Sequence, residues 1–313
     1  MENTAIADRV CLLTDCACPV GDEAVCKDAA SAGIDSLLVV KDDITPWPSE
    51  QGGLWCYVRP FANATTPTPC ELQRITDFVS YERAHGRTVG IWVGDAELQE
   101  QVRSAATAEP PAPDSRPPSS DPCCCRPYHD GCTGGLVCHA CPVEVVGQVL
   151  TSGQLLSKPR ATGKSLEDIV QEMRDWGQPD PPDYFEYICL ANGDCVAPDM
   201  LAIQRHAGRW LGPKECDAQF YPGVRFYFDP VALAAHPHVA WDGIQAIKIK
   251  DSLALDPYLV AAVAPEQDRN GSPLALDAPP AFRDRLVRLD HQAHFGLAAW
   301  STAAFKVAQQ CMG

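Results

Sequence analysis

The chain has 313 residues, 46% of them hydrophobic, enough to bury one large core or two ordinary ones. Its formal net charge is −16, which counts against sequence-independent binding of nucleic acid, because that needs a basic face to neutralise phosphates. No basic-then-apolar leader and no run of about 18 apolar residues is present, so no membrane span is expected and the cytoplasm is the expected compartment.

Residues 8–14 (DRVCLLT) read as a short buried strand, residues 21–33 as a helix ending on a glycine, and residues 34–40 (IDSLLVV) as a second strand. That order predicts a parallel βαβ unit. Residues 54–59 (LWCYVR) predict a third strand. A helix follows from Cys70, with Leu72, Ile75, Phe78, Val79 and Tyr81 at helical spacing, and His85-Gly86 as its stop. Residues 87–93 (RTVGIWV) predict a fourth strand, and 96–106 an amphipathic closing segment. Residues 1–106 therefore read as a small α/β domain. The stretch from residue 67 to 93 faintly resembles the helix and following strand of dual-specificity phosphatases. It lacks their Cys and the Arg five residues later, so the domain is expected to be non-catalytic.

Residues 107–122 hold six prolines in sixteen positions and read as a linker, expected to be the first site of proteolysis between two folded pieces. The second domain, residues 123–313, starts in a cysteine-rich stretch. In a reducing compartment the sixteen cysteines are expected to be free, metal-bound or reactive. Cys138 and Cys141 form a Cys-x2-Cys pair with Cys132 six residues upstream, the one arrangement suited to zinc. The second spaced pair of a structural zinc site is missing, so zinc is not favoured. Cys16-x-Cys18 is a weaker redox candidate.

Residues 135–139 predict a strand ending on His139. Pro142 opens a helix capped by Gly153, and a second helix lies near 166–176. The loop between them carries Lys158, Arg160 and Lys164. Its Ala161-Thr162-Gly163-Lys164-Ser165 ends like a P-loop, but Lys158 stands where the first glycine belongs. Residues 184–190 read as a strand, and 200–210 as a strand or a short helix. Val224–Phe228 (VRFYF) is a strong strand followed by an Asp229-Pro230 helix start. Two further strands are expected at 246–249 and 259–263, and helices at 280–289 and 295–310. Asp180, Asp183 and Asn192-Gly193-Asp194 would suit a hard cation if they converged.

The strand ending in His139, the helix PVEVVGQVLTSGQLL, the basic loop and VRFYFDP together resemble the ADP-ribosyltransferase fold, nearest to the DNA-targeting ADP-ribosyltransferase toxins. The resemblance spans residues 137–266. It implies an α+β second domain with an ADP-ribosyltransferase-like mixed sheet, and NAD as substrate. It assigns His139 to the ribose, Arg160 to the pyrophosphate, and Tyr227 or Tyr184 to the nicotinamide ring. Glu266, with Glu186 as second choice, would be the carboxylate that stabilises the cationic sugar. Period-two alternation would leave Arg225 and Tyr227 on a face free to meet the ligand. The family's Gln-Ala-Glu phrase, at the start of a strand, is absent. A non-catalytic zinc- or ligand-binding scaffold is the rival reading, and thiol chemistry in an interdomain cleft is a third.

Overall fold

The computed structural model describes residues 10–12, 29–41, 50–51, 54–60, 67–93, 97–110, 135–176, 181–209 and 211–312. Most of the expected linker, residues 21–28 of the helix expected over 21–33, Cys16, Cys18 and Cys123 to Cys132 lie outside these residues; the described end of that helix, 29–31, runs into Gly33 at φ +73°. The described residues form a mixed α/β structure around two main sheets.

The first sheet holds β1 (Val10–Leu12), β2 (Ser36–Lys41), β3 (Glu50–Gln51), β4 (Leu54–Pro60) and β5 (Val89–Val93), in the order β1-β5-β2-β4-β3. All its pairings are parallel except that of the short β3 edge. Leu37 to Val40 are wholly buried, as a parallel strand covered on both faces requires. Helix α1 (Pro69–Ala84) precedes β5 and starts on a capping box: Thr68 Oγ1 accepts from the Glu71 amide and the Glu71 carboxylate accepts from Thr68 N–H at 2.6 Å. Ile75, Phe78 and Val79 fill the core between this helix, the sheet and α2 (Gln99–Thr107).

The second sheet is reached through β6 (Val137–Cys141), α3 (Val143–Ser152) and β7 (Gln154–Leu156). Next come α4 (Lys158–Thr162), α5 (Leu166–Asp175), a 3-10 turn (Pro182–Glu186), β8 (Tyr187–Asn192), α6 (Ala197–Ala207) and α7 (Pro213–Ala218). The remainder is β9 (Val224–Phe228), α8 (Pro230–Ala234), β10 (Val239–Ala240), β11 (Ile247–Lys250), β12 (Ser252–Ala254), β13 (Leu259–Pro265), α9 (Pro280–Arg283), β14 (Leu286–Leu289) and α10 (Leu297–Gln310). The sheet order is β10-β11-β8-β6-β9-β13-β14, antiparallel except for the β13/β14 pair. The helix expected over 280–289 is thus only α9, followed by a strand. The undecided stretch at 200–210 belongs to helix α6.

Both faces of this sheet are covered. One packs Val137, Phe226, Phe228 and Ala262 against α3 and the β7/β12 ribbon through Val146, Leu150, Leu155 and Leu253. The other packs Cys138, Tyr227 and Val263 against α6, α7 and α10 through Ile203, Cys216, Trp300 and Phe305. The expected single-faced burial of β9 fails for this reason: α10 and α6 supply a second apolar layer, and all five β9 residues are buried.

The two sheets meet along a polar seam. Arg74 of α1 donates to the carbonyls of Gly243, Ile244 and Gln245 at 3.3, 3.1 and 3.3 Å. Gly243 has φ +72°, and a Cβ there would lie 2.1 Å from Arg74 O, so the contact needs glycine twice over. Lys248 is wholly buried, 2.7 Å from Asp242, with its ammonium over the rings of Tyr184 and Tyr81 at 2.9 and 4.5 Å. Separating the sheets would expose this pair and the apolar surface around it. A protease site introduced between residues 111 and 122 and cut in the native protein should therefore leave two fragments that co-elute on a sizing column. Elution as two independent species would show that the seam contributes little.

Candidate functional site

Among the described residues the β6/β8 ladder stops short, leaving an opening in the pairing. β6 pairs with β9 over all of Val137–Cys141, but with β8 only at Val137 and Cys138. Beyond Cys138 the two strands part. His139 sits in that opening, half-buried, with its Nδ1 3.0 Å from the Cys189 carbonyl of β8. A carbonyl can only accept, so Nδ1 carries the proton and Nε2 keeps a lone pair. Desolvation lowers the imidazole to about 4, against the raising effect of the Cys189 bond and with a further lowering from Arg205. His139 is therefore neutral at pH 7.

This has a consequence for stability. The unfolded chain protonates His139 near 6.5 and the fold resists until about 4, so this residue's share of stability falls as pH drops from 6.5 to 4. The loss is up to about 3 kcal/mol. Asp199 acts with the opposite sign: burial raises it from 3.8 to about 6, which costs stability as pH rises through that range. Denaturant unfolding of His139→Gln against the parent should isolate the histidine, the variant losing less stability than the parent between pH 6.5 and 4. Equal losses would show that His139 titrates normally in the fold.

Arg205 links His139 to the basic loop. Arg205, in the last turn of α6, acts electrostatically on His139, Cys141 and Lys158 at once. Lys158 lies between the rings of Trp176 and Phe185, at 5.9 and 5.8 Å, and 3.7 Å from Glu172. Burial lowers its pKa, Glu172 opposes this and Arg205 adds to it. Lys164 is tied to Glu172 at 2.6 Å. Arg160 and Arg205 are exposed and make no ion pair among the described residues. The sequence reading missed Arg205 because it left the secondary structure of 200–210 open; basic residues at a helix C-terminus are the signal that would have found it.

The two glutamates part company. Glu186 ends the 3-10 turn, half-buried and 4.0 Å from Lys250; continuing the β6/β8 register puts it one strand across from His139 and four residues further on, roughly 14 Å away between Cα atoms. Glu266 is exposed beyond the end of β13. His139 and Ala262 both pair with Phe226, so Glu266 is two strands across and four residues further on, roughly 16 Å away between Cα atoms. The two lie at similar range, and what separates them is that Glu186 is on the turn entering β8, the strand whose carbonyl holds His139.

Three ligand-contact expectations are overturned by burial. Arg225 and Tyr227 are both 0% exposed and face the α6/α10 layer, not an open face. Arg225 lies 3.3 Å from the equally buried Asp199 and donates to Ser301 O at 3.1 Å, Tyr227 Oη at 3.2 Å and Cys195 O. Tyr184 is buried in the seam against Lys248 and Tyr81. Asp183, weighed for a cation, is bonded there to Arg87 and Tyr81, and Asp180 lies outside the described residues.

The cysteine pair fails as a zinc clamp for a geometric reason. Cys138 and Cys141 are three residues apart on one strand and enter cores on opposite faces of the sheet. Burial pushes both thiols up to about 12, the reverse of what a reactive thiol needs. Cys132 lies outside the described residues. Among the described residues no helix is long and apolar enough to cross a membrane. No family model and no curated protein matches the chain.

Proposed function

We propose that the second sheet binds NAD in the opening between β6 and β8 and cleaves the nicotinamide–ribose bond, in the manner of the ADP-ribosyltransferases it resembles. The observation that carries this reading is His139: a neutral imidazole, fixed by Cys189 O, standing where two strands of the sheet part. Its Nε2 is suited to accept from a ribose hydroxyl. Lys158, Arg160 and Arg205 would answer the pyrophosphate, and an overall acidic chain with these cations fits an anionic small ligand better than a nucleic-acid backbone. In the reaction the C1′–N bond breaks and its electron pair leaves with nicotinamide. The cationic sugar is stabilised by a carboxylate, a role we give to Glu186 because it is on the turn entering the strand that holds His139. Water or another nucleophile then bonds to C1′ and gives up its proton.

Calorimetry with NAD and chromatography of released nicotinamide test this directly. His139→Ala should weaken NAD binding about tenfold or more, the worth of roughly one good hydrogen bond. An absence of NAD binding by the parent protein would overturn the reading. A second reading is favoured by Glu186 lying 4.0 Å from Lys250, a counter-charge that occupies the carboxylate: the opening binds NAD or ADP-ribose without turnover. Tight NAD binding with no nicotinamide release would support that form.

A further inference from the structure

The 3-10 turn that carries Phe185 and Glu186 is held from the other sheet. Its Asp183 accepts from Arg87 Nη1 at 2.6 Å on one oxygen and from Tyr81 Oη at 2.6 Å on the other. Burial works to raise the Asp183 pKa, but the bonds from Arg87 and Tyr81 and the charges of Arg87 and Lys248 hold it below the usual carboxylate range. Arg87 is in turn fixed by two bonds to Glu82, a wholly buried residue of α1 that also accepts from the Ser36 hydroxyl of β2. A continuous line of polar contacts thus runs from the first sheet to the turn, and the turn meets Lys158 through Phe185.

We infer that Arg87 and Tyr81 are positioning residues for the opening: by clamping Asp183 they fix the turn that presents Phe185 and Glu186 to the ligand. This rests on the reading of the opening as an NAD site, and it gives the first sheet a task in that site. Neither residue touches the ligand. Loss of the clamp should therefore act on turnover more than on affinity, because His139, Arg160 and Arg205 sit on other elements.

The test uses the full chain carrying Arg87→Met, with Tyr81→Phe as the gentler variant should the first fail to fold. Labelling of Lys158 by an amine-reactive ester, read by mass spectrometry, reports the turn without NAD. It should rise about fivefold, while kcat for nicotinamide release falls about tenfold and KM moves less than about threefold. Arg87→Lys, which keeps the charge and loses the fork, should lie between. Unchanged Lys158 labelling overturns the inference whether or not NAD binds. Raised labelling with unchanged kcat and KM also overturns it. A parent protein that binds no NAD removes the reading of the site, and labelling alone then decides whether the clamp exists.

Discussion

Arg225→Met should cost the second sheet about 3–5 kcal/mol, the largest stability effect expected of any single substitution here. The guanidinium is 0% exposed and joins four parts of the structure. It faces Asp199 of α6 at 3.3 Å, donates to Ser301 O of α10 at 3.1 Å and to Cys195 O before α6, and lies 3.5 Å from Cys138 Sγ of β6. Methionine fills much of the same volume but leaves Asp199 buried without a counter-charge, and removes the guanidinium bonds to Ser301 O, Cys195 O and Tyr227 Oη. Burial lowers the pKa of Arg225 less than Asp199 and the neighbouring groups raise it, so it stays charged throughout. Adding Asp199→Leu to Arg225→Met should restore most of the loss, since a buried pair replaced whole by apolar groups is often neutral. Urea unfolding followed by circular dichroism measures both. A loss under about 1 kcal/mol for Arg225→Met would mean that the core relaxes to admit water, and that the polar knot is not what joins these elements.

Glu186→Gln should lower nicotinamide release about 100-fold with NAD affinity changed little, as expected for removal of a group that acts on charge appearing in the transition state. Glu266→Gln should leave the rate within about threefold. The two substitutions test geometry as much as chemistry. Both glutamates flank an apolar strand, and the resemblance ranks Glu266 first because it implies a catalytic glutamate late in the chain, near the end of a strand. In the fold Glu266 hydrogen-bonds through its backbone to Leu289 and Leu274, with its carboxylate beyond the β13 end, near His291. Glu186 is on the turn that enters β8, the strand whose carbonyl holds His139. A 100-fold loss in Glu266→Gln with none in Glu186→Gln would reverse the assignment and require the ligand to reach across the ends of β6, β9 and β13.

Local chemistry was enough to place most elements. Thr68-Pro69 with Glu71 starts α1 and Gly86 follows its end; Pro142 and Gly153 bracket α3; unbroken apolar runs mark β2, β9 and β13. These are signals within a few residues: caps, forbidden φ values, and side-chain period. His139 was legible as a candidate because it ends such a run. The functions of the other site residues were not, because each depends on what lies on the far side of a side chain. Alternation correctly put Arg225 and Tyr227 on one face of β9, but only packing of α6 and α10 made that face a second core. Tyr184 and Asp183 were candidates for a ligand and a cation, but α1, about a hundred residues away, engages both, and it helps to bury Lys248. Arg205 comes to His139 because α6 crosses β6, and β6 leaves β8 at Cys138. Period and capping are properties of neighbours in sequence. Which polar groups end up buried, paired or left open to a ligand is a property of neighbours in space, set by how the layers stack.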